Sequence, residues 1–159
     1  MTPAFRPERT HKALGDAFYD VVRPAEFPEH RLRFRNDPWA ARIGLDGLSD
    51  AAWIAHFGRF HPLPGAFPEP LALRYHGHQF RVYNPEIGDG RGFLFAQARD
   101  LEDGRLLDLG TKGSGTTPWS RQGDGRLTLK GGGARDPRHR DVGGARGLYL
   151  EDLLAHRDR

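Results

Sequence analysis

Apolar positions along the chain fall in short runs cut by glycine and proline, and the spacing within each run predicts its element. Residues 17–22 (AFYDVV) form one such run, stopped by Pro24, and a strand or one to two helical turns fit it equally well. Residues 36–44 predict a short helix in which Asp37 can cap, Pro38 suits the first turn and Gly44 marks the end. A second helix opens on Ser49 as its cap, sets Trp53, Ile54 and Phe57 on one face and stops at Gly58. Four prolines between 61 and 70 predict a linker or an extended stretch. Then the period changes. Residues 92–98 (GFLFAQA) read as a strand, Asp103-Gly104 as a bend and 106–112 (LLDLGTK) as a second strand, so 92–112 predicts a β-hairpin. Residues 113–126 form a glycine-rich loop, and 127–130 (LTLK) can make a third short strand.

Composition narrows the classes. The length of 159 residues suits one ordinary domain with a modest core. Twenty-one glycines and twelve prolines make the chain loop-rich, while ten Phe, four Tyr and three Trp argue against wholesale disorder. The net charge of +3 comes without a long Lys/Arg run, so basicity by itself names no partner. The absence of cysteine excludes disulfides, thiolate metal sites and Cys nucleophiles. No stretch approaches a membrane span, and the N-terminus has no apolar signal core. A cytoplasmic protein without membrane or nucleic-acid partners is the expectation.

Four motifs carry candidate chemistry. Gly88-Asp89-Gly90-Arg91 precedes a strand; its glycines allow close backbone approach to an anion, successive N–H groups can form a nest, and Arg91 adds a charged donor. The plain alternative is a tight turn with a solvated arginine. Lys112 ends the second strand beside Gly113-Ser114-Gly115, 22 residues beyond Gly90 with the hairpin between them. That order suits a kinase-type small lobe and does not match a Walker A loop. A lysine guarding a sheet edge is the alternative. The tetrapeptide recurs at Gly123-Asp124-Gly125-Arg126, where Asp124 can bind ribose or metal or merely make a turn. Ser120 just upstream has no neighbouring His to activate it as a nucleophile. His76 and His78 tempt a metal reading, but too few ligands accompany them, and hydrogen bonding of His78 and Gln79 to nearby backbone is the simpler expectation.

Together the strings YHGHQF, YNPEIGDGRGFLF, LGTKGSGTTPWSR and GDGRL, in that order across residues 71–132, resemble the N-terminal part of the selenoprotein O (YdiU-type) family. A weaker likeness, FYDVVRP through IGLDGLS, reaches back to about residue 14. The resemblance implies a kinase-like fold that binds ATP and transfers AMP to Ser, Thr or Tyr of other proteins, with Mg²⁺ in the full-length family. Carried over position by position, it implies nucleotide contacts at Gly88, Gly90 and Arg91, a phosphate-holding Lys112, and further nucleotide contacts at Asp124 and Gly125.

The expected fold is thus α+β, an incomplete kinase-like N-lobe with a small antiparallel sheet and N-terminal helices. Its expected parts are an N-terminal segment (1–66), a glycine-loop and hairpin part (67–132) and a tail (133–159). The family's catalytic base and metal ligands lie further downstream, so no catalytic or metal-binding residue is assigned in this chain. The tail has no helical face and contains Pro137. With suitable codons, a one-base shift of frame turns it into an amphipathic helix carrying a Glu, so an out-of-frame tail is the expectation. Loss of that helix and of a C-lobe is expected to expose Phe93, Leu94, Phe95 and Leu107 and to leave a fragment inactive in AMP transfer. Two other functions stay open: a nucleotide- or phosphate-binding module without chemistry, and a small basic nucleic-acid binder with steep salt dependence.

Overall fold

The computed structural model describes residues 4–32, 34–90 and 92–126, together with the backbone of 147–149. Arg91, the 127–130 strand and the rest of the 133–159 tail lie outside the described residues.

The fold is α+β, built on one mainly antiparallel sheet of six strands. Its centre is the expected hairpin: β6 (Gly92–Arg99) and β7 (Leu106–Lys112), numbered in chain order. Gly104 takes a positive φ of 73° in the bend between them, which a residue without Cβ adopts at little cost. The other edge of β6 is shared by β1 (Pro7–Glu8) and β3 (Leu71–Leu73). β2 (Tyr19–Val21) pairs outside β3, which settles the 17–22 run as a strand. Strands from before and after residue 66 therefore lie in one sheet. A small separate hairpin joins β4 (Gly77–Gln79) to β5 (Val82–Asn84). The backbone of β8 (Gly147–Tyr149) runs parallel to β7, a pairing the sequence did not lead us to expect.

Helix α1 (Asp37–Arg42) begins on its expected cap, so the cap itself lies one residue earlier. Asn36, not Asp37, is the N-cap, its side chain accepting from the Trp39 N–H at 3.4 Å. Asp37 sits in the first turn, where its charge suits the helix dipole. Helix α2 (Asp50–Trp53) is capped by Ser49 as expected, with the Ala52 N–H donating to its Oγ at 3.2 Å. A π-helical turn, Ile54–Gly58, continues it to the expected stop.

The core answers the question of the hairpin's exposed face. Trp53, Phe57 and Phe60 cover one face of the sheet, with the Phe57 ring 5.6 Å from Phe95 and the Phe60 ring 5.9 Å from Phe93. Tyr19, Phe67 and Leu71 gather with Leu94 in a second cluster. Phe93, Leu94, Phe95 and Leu107 are consequently buried, at 1–3% exposure, and not exposed as anticipated. The N-terminal segment supplies the cover. The proline-rich stretch is part of it: Leu63, Ala66 and Phe67 are all core residues. A β-bulge between Leu94 and Ala96 resets the alternation of β6. It places Phe95 and Ala96 in the same cluster and frees Gln97 to donate to Asp108 at 2.7 Å.

Candidate functional site

The site lies at the end of the β6–β7 ladder opposite the Asp103-Gly104 bend. Gly92 pairs with Lys112 there, so the glycine loop entering β6 and the lysine ending β7 are neighbours across the sheet. β7 buries alternate residues, Leu107, Leu109 and Thr111, and leaves Lys112 half-buried on the opposite face.

The chain beyond Lys112 folds back over the loop. Thr117 Oγ1 donates to the Asp89 carbonyl at 2.5 Å, and Ser120 Oγ donates to the Gly90 carbonyl at 2.6 Å. Trp119 packs its ring on Gly88, whose φ is +44°, so closely that a Cβ there would enter the indole. Asp124 and Gly125 return to the same neighbourhood, since Ser114 and Arg126 form an isolated antiparallel bridge. Gly125, at φ +71°, lies against the Gly115 carbonyl with no room for a side chain.

The structure thus brings together Gly88, Gly90, Lys112, Asp124 and Gly125, while Arg91 is outside the described residues. It also qualifies two expectations. The nest of loop amides is partly closed from within: the Gly88 and Asp89 N–H groups donate to the Tyr75 and Leu73 carbonyls at 3.3 and 2.9 Å. The Gly92 N–H donates to Asp89 Oδ1 at 2.7 Å. The Asp124 carboxylate is spent on a turn, accepting from the Arg126 N–H at 2.9 Å. Thr116 Oγ1 donates to the Asp124 carbonyl at 3.0 Å.

Neighbouring side chains set the local charge. The Arg74 guanidinium, hydrogen-bonded to Asp20, holds that carboxyl below the usual aspartate range, although partial burial opposes the shift. The Trp119 indole N–H adds the smallest lowering. Arg121 Nη2 donates to Gln79 Oε1 at 2.5 Å, tying the β4–β5 hairpin to the 113–126 loop. His76 Nδ1 lies 2.7 Å from the Tyr83 hydroxyl, and the His78 ring packs on Tyr83. The contacts of His76, His78 and Gln79 are therefore with side chains, where backbone partners were expected for His78 and Gln79. Among the described residues, no three His, Asp or Glu side chains are placed to hold a metal ion.

Sequence reasoning treated Ser120 only as a poor nucleophile and passed over Thr117 and Trp119. The signal was present in the string Thr116-Thr117-Pro118-Trp119-Ser120 beside two glycine loops, but its contacts lie about thirty residues back along the chain.

Comparison with known proteins bears on this arrangement. The family model described as "Protein adenylyltransferase SelO" matches residues 4–136. The protein nucleotidyltransferase YdiU of Gloeobacter violaceus is 58% identical over 127 residues, covering 79% of this chain and 25% of that protein. The protein of the same name from Trichodesmium erythraeum is 56% identical over 123 residues, covering 76% of this chain and 25% of its own length. That from Aeromonas salmonicida is 46% identical over 111 residues, or 70% and 23%. The chain spans about a quarter of the length of these curated relatives. With a match that takes in the glycine loop, the lysine strand and the 113–126 loop together, the chain belongs to the SelO family of nucleotidyltransferases.

Proposed function

We propose that this chain forms the phosphate-holding part of a protein adenylyltransferase, an enzyme that moves AMP from ATP to a Ser, Thr or Tyr hydroxyl of a protein substrate. The sheet is read as the N-lobe of a kinase-like domain. The observation that carries the reading is the pairing of Gly92 with Lys112, which sets a cation beside a glycine loop at one end of a hairpin. In this role Gly88 and Gly90 let the backbone approach the phosphates, Arg91 and Lys112 offset their charge, and the Asp124-Gly125 turn borders the nucleotide.

In the transfer, the protein hydroxyl oxygen bonds to the α-phosphorus. The bond from that phosphorus to the bridging oxygen breaks, pyrophosphate leaves with the electron pair, and the hydroxyl proton passes to a base. Asp89 and Asp124, the carboxylates of the two glycine loops, are both occupied by backbone N–H groups. This reading assigns the base outside the neighbourhood, and the 159-residue chain alone is expected to bind ATP without transferring AMP. The same occupied carboxylates favour a second reading, a nucleotide-binding module without chemistry.

Titration calorimetry of the chain with ATP tests the proposal. Lys112→Ala should weaken binding by about tenfold or more, as expected for one hydrogen bond to a charged group. Unchanged affinity would remove Lys112 from the site. Tight, steeply salt-dependent binding to DNA or RNA in place of ATP would favour the nucleic-acid reading. Transfer of labelled AMP by the chain alone would overturn the assignment of the base elsewhere.

A further inference from the structure

We propose that Thr117 and Ser120 are positioning residues that fix which way the glycine loop presents its backbone amides. The inference rests on the nucleotide reading for its consequence, though the clamp itself can be tested without nucleotide.

A trans peptide is planar, and its C=O and N–H point in opposite directions. The Asp89 carbonyl is held by Thr117 Oγ1 and the Gly90 carbonyl by Ser120 Oγ. Pinning the Asp89 carbonyl turns the N–H of the same peptide, that of Gly90, away from the 117–120 turn. A flexible glycine loop samples many peptide orientations, and two hydroxyls on consecutive carbonyls remove most of that freedom.

The hydroxyls are themselves aimed. A hydroxyl has a single proton to give and can accept on its lone pairs. Thr117 Oγ1 accepts from the Trp119 N–H at 3.1 Å, and Ser120 Oγ accepts from the Thr117 N–H at 2.9 Å. The Ser120 N–H donates to the Thr117 carbonyl at 3.1 Å and closes the turn. A carbonyl oxygen can only accept, so each hydroxyl proton is directed at its loop carbonyl, in contacts shorter than the 3.3 Å between Thr117 Oγ1 and Ser120 Oγ. Thr117 is buried at 4% exposure, which shields its bond from competing water. Trp119 seats on Gly88 from the same turn, so three successive loop residues are held by one four-residue segment. That segment begins five residues beyond Lys112, which links the orientation of the amides to the strand carrying the cation.

The test uses Thr117→Val, which keeps shape and loses the hydroxyl, Thr117→Ser, which restores it, and Ser120→Ala. Amide hydrogen exchange and ATP titration are followed on the 159-residue chain at a temperature where each variant is folded. The clamp predicts that Thr117→Val and Ser120→Ala speed exchange in residues 86–92 and leave β7 protected. It also predicts that they raise the ATP Kd about 3- to 10-fold each, with Thr117→Ser close to the parent. Unchanged loop exchange in both variants overturns the proposal, as does a loss of protection spread evenly over the sheet. Faster loop exchange with unchanged ATP affinity overturns its nucleotide consequence. If the parent chain does not bind ATP, the nucleotide reading fails, and loop exchange alone still decides the clamp. If Thr117→Val does not fold, Ser120→Ala carries the decision.

Discussion

Lys112 stands directly across the β6–β7 ladder from Gly92, so the last residue of one strand and the first of the other form the mouth of the site. Strand β6 of the hairpin that joins them is buried along all but its last residue, and local disturbances at the loop should be separable from global unfolding.

Gly88 tests the packing of that mouth. Gly88→Ala places a Cβ in the Trp119 ring on a backbone already at φ +44°. We expect a loss of about 1–3 kcal/mol in urea unfolding. In a Trp119→Ala background the same substitution should cost less, with a coupling of at least ~0.5 kcal/mol. Equal costs in the two backgrounds would mean that the indole does not pack on the glycine.

Asp20 predicts an acid sensitivity. Its pKa is lowered on folding, first by the hydrogen bond from Arg74. The contribution of the pair is therefore complete above the ordinary aspartate pKa of about 3.9 and is lost as pH falls through the lower folded value. Melting temperatures from pH 6 to pH 2 should show a smaller acid-side decline for Asp20→Asn than for the parent. Parallel curves would remove Asp20 from the account.

Asp100 is fully buried and receives both Nε and Nη2 of Arg42. Its Oδ1 also accepts from the Glu102 N–H at 2.9 Å, closing the β6–β7 turn. Arg42→Met leaves the buried carboxylate with Arg105, 3.9 Å away, as its remaining ion-pair partner and should cost about 3 kcal/mol. Arg31→Met, which breaks an exposed pair with Glu29, should cost under ~1 kcal/mol. Denaturant midpoints compare the two, and similar values would show that Asp100 is not held as a buried charge.

The β4–β5 hairpin turns on two residues, Phe80 and Arg81, with φ of 53° and 66°. Such a turn favours Asn-Gly, and a bulky side chain held in the left-handed region costs about 1–2 kcal/mol. Phe80→Asn with Arg81→Gly should therefore raise stability by about 1 kcal/mol or more. Phe80 is 91% exposed, so little packing is lost in exchange. An unchanged or lowered midpoint would show that the hairpin tip packs on something.

Much of this fold was legible where the physics is local. The 92–112 hairpin follows from alternation and an Asp-Gly bend, and the second helix from Ser49 and the Trp53/Phe57 spacing. The glycine motifs and Lys112 stood out because glycine frees the backbone for close approach and lysine carries a compact charge. Asn36 displaced Asp37 as a cap because adjacent capping residues compete, and only the helix start decides between them.

What the sequence by itself determined is the β6–β7 hairpin, the two short helices and the placing of Lys112 beside a glycine loop, since each depends on residues close together in the chain. Tertiary structure decided the rest. The bulge at Phe95 chose which side chains of β6 enter the core, and a proline-rich stretch that reads as a linker supplied Leu63 and Phe67 to the core. Thr117 and Ser120 met carbonyls 28 and 30 residues away. Such contacts leave no periodic trace, because a hydroxyl and a backbone carbonyl can pair at almost any sequence separation once the chain has folded back upon itself.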